Sequence, residues 1–343
     1  MVREAFGERF DVPHGYLATA SVGVPPQGAV RAVQAALDDW ATGGARPPAY
    51  DEPVETARAA FAALTGYDAA DVAIGGSASA LLALVADAVP DGARVVTAVD
   101  EFTSATFPFA AHGDRGVRVL EVPLDELGAA AAGAEVVVVS VVQSLGGAQV
   151  DLAPLRAAAA GGTLVVLDVT QAAGWRPLDL GWVDAVVAGG YKWLLCPRGA
   201  AWLGTSARLR ERMRPLAANW YAGGDERWSA IYGLPLRLSP DARRYDASPA
   251  WWCHVGAAVT LPWLASLDLA AVREHCVGLA DATLAGLGLP PQGSAIISLD
   301  RPDALERLTD AGVVAAARGG RTRLAFHLYN DASDVDRVLS ALR

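Results

Sequence analysis

The stretch that decides the fold runs Thr163-Leu164-Val165-Val166-Leu167-Asp168-Val169-Thr170-Gln171. Its consecutive apolar residues show no alternation with polar side chains, and an aspartate follows them. Such a run is typical of a strand covered on both faces, as in a parallel sheet flanked by helices. An aspartate that ends a buried strand is costly unless it pairs with a cation or metal or caps a helix. The stretch therefore predicts an α/β fold with a polar site at the carboxyl end of this strand.

Short β-branched runs of this kind alternate with alanine-rich helical stretches through the first two-thirds of the chain. The predicted strands span residues 71–74, 94–98, 117–122, 135–142, 163–168, 184–187 and 200–203. A helix is predicted over 25–40, because Val33, Leu37 and Trp40 recur at helical spacing and proline occupies the first turn. The alternation predicts a mostly parallel seven-stranded sheet with helices on both faces.

The composition changes after a connector rich in proline, tryptophan and glycine, at residues 215–240. Beyond it we predict helices at 250–267 and 269–287, strands at 295–299, 313–316 and 323–327, and two further helices. This pattern is typical of a small α+β unit. We therefore predict a large domain over 14–240 and a small domain formed by 241–343 together with the N-terminal segment 1–13.

The overall composition suits a soluble folded protein and argues against several classes of partner. The 343 residues carry a formal charge of −10 and are 52% hydrophobic. A negative balance opposes binding to nucleic acid or an anionic membrane, and no apolar stretch is long enough to span a bilayer. No histidine or cysteine spacing suggests a metal site. Three well-separated cysteines and a start without an apolar signal core favour a cytoplasmic protein.

Lysine is almost absent from the sequence. Of 28 lysine and arginine residues, Lys192 is the single lysine, and it follows Gly189-Gly190-Tyr191 shortly after a predicted strand. Arginine cannot supply a primary amine that loses its proton and forms an imine, whereas lysine can. Lys192 is therefore a candidate Schiff-base residue. Taken alone, a surface lysine in an arginine-biased chain is an equal alternative.

Two other strand ends carry residues that complete this chemistry, and ligands of open α/β sheets bind beyond the carboxyl ends of the strands. Ile74-Gly75-Gly76-Ser77-Ala78-Ser79 leads into a helix whose free N–H groups can hold a phosphate, although a serine-capped turn has the same pattern. Asp168 would suit a protonated pyridine nitrogen. A phosphate loop, a buried aspartate and Lys192 in this order predict a site for pyridoxal 5′-phosphate (PLP).

Four segments of the chain also carry a family resemblance. They are Asp168-Val169-Thr170-Gln171, Tyr191-Lys192-Trp193, Glu101-Phe102-Thr103-Ser104 and Arg323-Leu324-Ala325-Phe326-His327-Leu328-Tyr329-Asn330. They resemble motifs of the fold-type I PLP-dependent enzymes of the class V aminotransferase group, which includes cysteine desulfurases, kynureninases and C–S lyases. The resemblance covers most of the chain. It implies the PLP-dependent transferase fold of type I, with PLP as the cofactor.

The resemblance implies a role for residues around the cofactor ring. Lys192 would form the Schiff base, and Asp168 would pair with the pyridine nitrogen. Gln171 would reach the ring hydroxyl, and Gln143 would lie near the same hydroxyl. Phe102, which stands where desulfurases have histidine, would stack on the ring.

Further residues are implied for the substrate and the phosphate. Arg323 would hold the substrate α-carboxylate, a bidentate task suited to guanidinium. The segment 244–249 resembles a stretch that reaches the cofactor phosphate of a neighbouring subunit, which implies a homodimer with shared sites and a contact from Ser248. Desulfurases have serine and histidine at the places of Gly189 and Tyr191. We therefore expect phosphate contacts from Ser77, Ala78 and Ser79 at the helix start and from Tyr191 itself.

One departure from the desulfurases bears on the reaction. Their persulfide cysteine is expected shortly before Arg323, yet residues 310–321 contain no cysteine. Cys196 follows Lys192 closely, although a structural role is the default for such a thiol. We therefore expect Cα deprotonation of an amino acid and β-elimination from a cysteine S-conjugate or related thiol amino acid. An aminotransferase or epimerase acting on a small amino acid is the alternative, and a catalytically silent PLP-binding protein is a third.

Overall fold

A computed structural model describes residues 2–224 and 227–343. The strands within them are β1 (Arg3–Ala5), β2 (Glu8–Phe10), β3 (Val72–Gly75), β4 (Arg94–Ala98), β5 (Arg118–Val122), β6 (Val136–Ser140), β7 (Leu164–Asp168), β8 (Ala185–Gly189), β9 (Ala201–Thr205), β10 (Ile296–Leu299), β11 (Ala316–Arg318) and β12 (Arg321–Ala325). The α-helices are α1 (Gln27–Ala41), α2 (Asp51–Thr65), α3 (Ala78–Asp87), α4 (Thr103–Ala110), α5 (Leu127–Ala131), α6 (Leu152–Ala160), α7 (Ala207–Arg210), α8 (Trp251–Ser266), α9 (Leu269–Gly286), α10 (Ala304–Asp310) and α11 (Ala332–Leu342).

The largest sheet has seven strands in the order β3-β9-β8-β7-β6-β4-β5. The strands from β8 to β5 in this order pair in parallel, whereas β9 is antiparallel to both of its neighbours. β3 therefore points the same way as β8, and every strand of the sheet except β9 ends at one edge. The prediction of a mostly parallel seven-stranded sheet is confirmed, with strand ends that differ from the predicted ones by at most two residues.

The central strands are buried on both faces, as their uninterrupted apolar runs predict. In β7, Val165 and Leu167 belong to the hydrophobic core on one side of the sheet, and Leu164 and Val166 belong to the core on the other side. Successive side chains of a strand point to opposite faces, so both faces need apolar residues when helices cover each of them. Burial of this kind leaves the strand end as the place where a polar residue can meet a ligand.

A second, three-stranded antiparallel sheet in the order β10-β12-β11 forms the C-terminal part of the structure. It shares a separate hydrophobic core with helices α9, α10 and α11. The N-terminal segment contacts this region, because the guanidinium of Arg3 donates hydrogen bonds of 2.6 and 2.8 Å to the carboxylate of Asp334 in α11. The assignment of residues 14–240 and of 1–13 with 241–343 to two domains stays a prediction.

Two local features differ from the sequence-based expectation. The strand expected at 313–316 begins at its last residue, since Val313 is buried in the C-terminal core and Val314 pairs with Tyr16 instead of with the three-stranded sheet. The helix expected at 25–40 is present as α1, but Leu37 and Trp40 are 37% and 61% exposed. Helical spacing thus located the helix correctly without showing which surface covers its apolar side chains.

Helices α8 and α9 form the transition between the two sheets. α8 packs against α1 and α2, whereas α9 packs against α11. No single helix in residues 2–224 and 227–343 is long and apolar enough to cross a membrane, and only α8 and α9 taken together, with a bend of 94° between them, pass by length and composition.

Candidate active site

Three strand ends of the large sheet open onto one cavity. β3 ends at Gly75, β7 at Asp168 and β8 at Gly189, and the chain after each of them contributes to the wall of this inner cavity. Its lining includes most of the residues predicted for the cofactor, namely Ser77, Ala78, Phe102, Asp168, Gln171, Tyr191 and Lys192. Residues that are far apart in the sequence therefore meet where the strand directions predict a ligand.

One end of the inner cavity is formed by the amino end of helix α3. Ser77 has an extended backbone and its Oγ accepts a hydrogen bond of 3.3 Å from the N–H of Ala80, so it caps the helix. The hydroxyl of Ser79 lies 3.3 Å from that of Ser77. A helix amino end carries unsatisfied N–H groups and a partial positive charge, which together suit a phosphate.

Asp168 is the last residue of β7 and only 5% exposed. One carboxylate oxygen accepts a hydrogen bond of 2.7 Å from the N–H of Thr170, whose own Oγ1 accepts from the N–H of Gly189 at 3.1 Å. Burial raises the pKa of Asp168, while the hydrogen bonds from Thr170 and the nearby charge of Lys192 oppose that rise. A carboxylate in this position is stabilised by a cationic group placed in the cavity.

The amine of Lys192 lies in the same cavity and is 6% exposed. Its pKa is lowered to about 8, mainly by burial and also by the charges of Arg323, Arg318 and Arg198, against the opposing charge of Asp168. A lysine with a depressed pKa carries a neutral amine in an appreciable fraction of molecules near neutral pH, as imine chemistry and proton transfer require. The buried environment thus favours the reactive alternative for this lysine over a surface role.

Aromatic rings flank this amine. Its Nζ lies 5.1 Å from the ring centroid of Phe102 and 5.6 Å from that of Tyr191. Phe102 is 43% exposed and is held in place by the preceding residue, Glu101, whose buried carboxylate accepts hydrogen bonds from the N–H of Phe102 and from the N–H and Oγ of Ser140. Ser140 is the sheet neighbour of Asp168. Glu101 therefore ties the aromatic wall to the strand beside the buried aspartate.

An outer cavity adjoins the inner one and shares Phe102, Tyr191 and Lys192 with it. Arg323 of β12 lines this outer cavity and is 2% exposed. Its Nη1 donates to the carbonyl and the hydroxyl of Ser144, at 2.5 and 2.9 Å, and its Nη2 donates to the hydroxyl of Ser21 at 2.8 Å. Burial, together with the charge of Arg318, lowers the pKa of Arg323 to about 10. The guanidinium is thus oriented by neutral oxygen atoms.

The two predicted glutamines lie in different environments. Gln171 lines the inner cavity, and its amide is fixed by Trp193, whose Nε1 donates to Oε1 at 2.7 Å, and by Ser144, whose hydroxyl accepts from Nε2 at 3.0 Å. Gln143 is not among the residues that line either cavity; its Nε2 donates to the carbonyl of Val99 at 3.1 Å. The next residue, Ser144, lines both cavities instead. The structure thus does not bring Gln143 to the cavity wall.

Ser248 is exposed and lines neither cavity of the single chain. Its segment is nevertheless firmly positioned, since the N–H of Ala247 donates to the carbonyl of Ile74 at 3.0 Å and the buried Asp246 pairs with Arg58 at 2.7 Å. The two residues that precede Ser248 are therefore fixed in place beside the end of β3. Its role as a contact to a neighbouring subunit stays a prediction.

Cys196 lines the outer cavity, but burial raises the pKa of its thiol well above the usual range. A thiol with a raised pKa is a poor nucleophile at neutral pH. No group of three or more His, Cys, Asp or Glu side chains that could hold a metal ion occurs in the described parts of the chain.

Several cavity residues were missed by the sequence-based prediction. Arg198 lines both cavities, and Arg318 and Ser21 line the outer one. No motif marks these residues, and Arg318 belongs to a three-residue edge strand that follows alanines. Thr170 also lines the inner cavity, and its position between Asp168 and Gln171 in the sequence is the signal that could have indicated this. Chain folding, and not local sequence, brings the two additional arginines to the site.

Comparisons with known proteins agree with this geometry. Residues 45–303 match the family model described as Aminotransferase class-V. No curated protein matches the chain in sequence. The fold is shared with the cysteine desulfurase CsdA from Escherichia coli, at a TM-score of 0.82 and 20% identity over 97% of this chain and 95% of that one.

The fold is also shared with the cystine C-S lyase C-DES in complex with its product cysteine persulfide, at a TM-score of 0.83 and 17% identity over 96% of this chain and 97% of that one. A C-DES mutant with glycine covalently linked to its PLP cofactor has a TM-score of 0.84 and 17% identity, over 96% of each chain. At these identities the solved structures show a common fold, and the family match covers well over half of the residues. The chain therefore belongs to the class-V aminotransferase family.

Proposed function

We propose that this chain is a PLP-dependent enzyme that removes the Cα proton of an amino acid and expels a thiol from Cβ. The substrate class is a cysteine S-conjugate or a related thiol amino acid. PLP is the cofactor, as family membership and the glycine–PLP adduct held by C-DES indicate. One observation carries the proposal. The amine of Lys192, with a pKa of about 8, lines the inner cavity together with the Asp168 carboxylate, and it also lines the outer cavity together with Arg323.

The described residues of the inner cavity fit PLP group by group. The cofactor aldehyde requires an amine that can lose its proton, which Lys192 supplies. The phosphate requires hydrogen-bond donors, which the amino end of α3 and Ser77 provide. The pyridine nitrogen requires an anion to stay protonated, and Asp168 is the buried carboxylate available. The flat ring requires an aromatic surface, and Phe102 lies beside the amine.

These residues would divide the work of the reaction among them. When bound, PLP supplies an electron sink that lowers the barrier to breaking a bond at Cα. Asp168, held by the N–H of Thr170, stabilises a proton on the pyridine nitrogen. Nζ of Lys192 accepts the Cα proton, for which a pKa near the working pH is favourable. Arg323 binds the substrate α-carboxylate and so decides which bond at Cα is oriented for cleavage.

The choice of elimination over persulfide transfer is supported by the cysteines. Residues 310–321 contain no cysteine, and Cys196 is the cysteine among the described residues that line the two cavities. Because burial raises the pKa of its thiol, Cys196 is poorly suited to attack a sulfur atom. Sulfur would therefore leave as a free thiol, together with the pyruvate and ammonia that follow β-elimination.

The proposal is tested by incubating the purified, PLP-loaded protein with S-substituted cysteines. We expect thiol, pyruvate and ammonia in equal amounts. The bound PLP should give a visible absorbance band, and borohydride reduction should attach the PLP permanently to Lys192. Lys192→Ala should lose both the attachment and the reaction, whereas Arg321→Gln, an exposed control outside both cavities, should keep them. Keto acid that forms only in the presence of an amino acceptor would indicate transamination, and racemised substrate an epimerase.

We also propose that the enzyme is a homodimer with its sites at the subunit interface. Apolar side chains are exposed around the cavity: Phe102 and Val99 are 43% and 44% exposed, and Phe107 in the adjoining helix α4 is 65% exposed. Exposed apolar patches often mark interaction surfaces. Light scattering on the protein as it elutes from a size-exclusion column should give twice the mass of the chain, and Phe107→Glu should lower this molecular mass. The exclusion of nucleic acid and the cytoplasmic location remain predictions from composition.

A further inference from the structure

The outer cavity is lined by three arginines and by no acidic residue among those described. Arg198, Arg318 and Arg323 all line it, and none of them has a carboxylate within 4.0 Å among residues 2–224 and 227–343. Of the described residues that line the two cavities, Asp168 alone is acidic, and it belongs to the inner one. Converging cations without an internal partner indicate an anionic ligand.

Two of these guanidinium groups share one neutral acceptor. Nη2 of Arg323 donates to Ser21 Oγ at 2.8 Å, and Nη2 of Arg318 donates to the same oxygen at 3.4 Å. Each arginine also lowers the pKa of Lys192, which places both charges within electrostatic reach of the reactive amine. A single hydroxyl oxygen does not neutralise two cations, so an anion bound between them would be attracted by both guanidinium groups.

The anionic groups already assigned do not account for both arginines. The cofactor phosphate would lie at the amino end of α3, on the wall of the inner cavity that includes Ser77. The substrate α-carboxylate would pair with Arg323, which is 2% exposed and oriented by Ser144 and Ser21. Arg318 is exposed, donates to the carbonyl of Ala317 at 2.7 Å, and forms no ion pair with the described residues. It is therefore available to a second anion at the mouth of the site.

We propose that the substrate side chain ends in an anionic group, such as a carboxylate or sulfonate, and that Arg318 binds it while Arg323 binds the α-carboxylate. This inference rests on the proposed function, since it assigns the substrate class of the same site. The substrate would then have two acidic groups: the α-carboxylate that all amino acids share, and a second one at the end of its side chain. Arg198, whose guanidinium lies 5.3 Å from the ring centroid of Tyr191, adds positive potential to the same cavity.

A matched pair of ligands tests the inference on the PLP-loaded protein. S-carboxymethyl-L-cysteine and S-carbamoylmethyl-L-cysteine have nearly the same shape, but only the first has an anionic side chain. Because both are expected substrates, their apparent affinities are measured as the concentrations that give half-maximal initial rates of thiol release. We expect the acidic ligand to bind about tenfold more tightly, the effect typical of one charge-assisted hydrogen bond.

Two variants from the same hairpin show whether Arg318 binds the side-chain anion directly or whether the loss of any positive charge nearby has the same effect. Arg318→Gln should reduce the preference for the acidic ligand to within about twofold and leave the affinity for the neutral ligand unchanged. Arg321→Gln is the control, because Arg321 is the register partner of Arg318, is exposed, pairs with Asp300 at 3.4 Å and lies outside both cavities. It should retain the tenfold preference.

The outcomes distinguish this inference from the function on which it rests. Equal affinity of the unmodified protein for the two ligands would overturn the anionic side chain while leaving the elimination of thiols intact. Equal weakening of both ligands by Arg318→Gln would show that Arg318 and Arg323 clamp a single α-carboxylate, which also overturns it. If neither ligand bound or changed the absorbance of PLP, the proposed function itself would fail, and the inference with it.

Discussion

The reactive state of Lys192 can be tested directly because the chain has no other lysine. Burial lowers the pKa of its amine from 10.5 to about 8. A group that is 6% exposed is shielded from solvent, and this change corresponds to about 3 kcal/mol against the charged form. At pH 7.5 a pKa of about 8 leaves roughly a quarter of the amines neutral, whereas the ordinary value leaves about 0.1% neutral.

The neutral fraction can be followed by acetic anhydride labelling of the PLP-free protein, quantified by mass spectrometry of the peptide that contains Lys192. N-acetyl-lysine amide in the same tube serves as the internal reference. Since only the neutral amine reacts, raising the pH from 7.5 to 9.5 should increase the labelling of Lys192 about fourfold and then reach a plateau. The reference amine should increase about ninetyfold over the same interval.

A change in the surrounding charges should move this plateau in a predictable direction. Asp168 raises the pKa of Lys192, so Asp168→Asn should lower that pKa and shift the plateau to lower pH. Arg321→Gln, outside both cavities, should leave it in place. A ninetyfold increase for Lys192 itself would refute the argument, because it would mean that the amine behaves as a fully solvated one.

Two further predictions concern the framework of the site. Asp246→Asn should lower the free energy of unfolding by about 3 kcal/mol in urea titrations, because the buried guanidinium of Arg58 loses its buried carboxylate and keeps only the partly exposed Glu55; an unchanged midpoint would contradict this. Gly190→Ala should lower the free energy of unfolding by about 1–3 kcal/mol, since the added Cβ would lie 2.2 Å from the sulfur of Cys196. The same change at Gly278 in α9, where nothing lies within 4 Å of the added Cβ, should instead raise the free energy of unfolding by about 0.5–1 kcal/mol. Equal effects of the two glycine substitutions would contradict the crowding inferred at Gly190, which lies in a turn after β8 and not in a helix.

Much of the fold could be predicted from local sequence because strand burial is a local property. The apolar runs that end at Ser140 and Asp168 have no polar alternation, and only a strand covered on both faces tolerates such a run. The order of glycine turn, aspartate and lysine along these strands then placed the candidate cofactor residues, since parallel strands end at a common edge. The exposed apolar side chains of α1 show where this reasoning stops: periodicity locates a helix but does not tell what covers it.

The site required the tertiary structure wherever its chemistry depends on distances between separate segments. Gln143 and Ser144 are adjacent in the chain, yet only the second lines the cavities, while the amide of Gln143 donates to the carbonyl of Val99. The single lysine and the buried aspartate could be recognised from the sequence as reactive candidates. The pKa of Lys192 could not, because it depends on burial and on the charges of Arg318 and Arg323, which lie more than a hundred residues away and reach the amine only through folding.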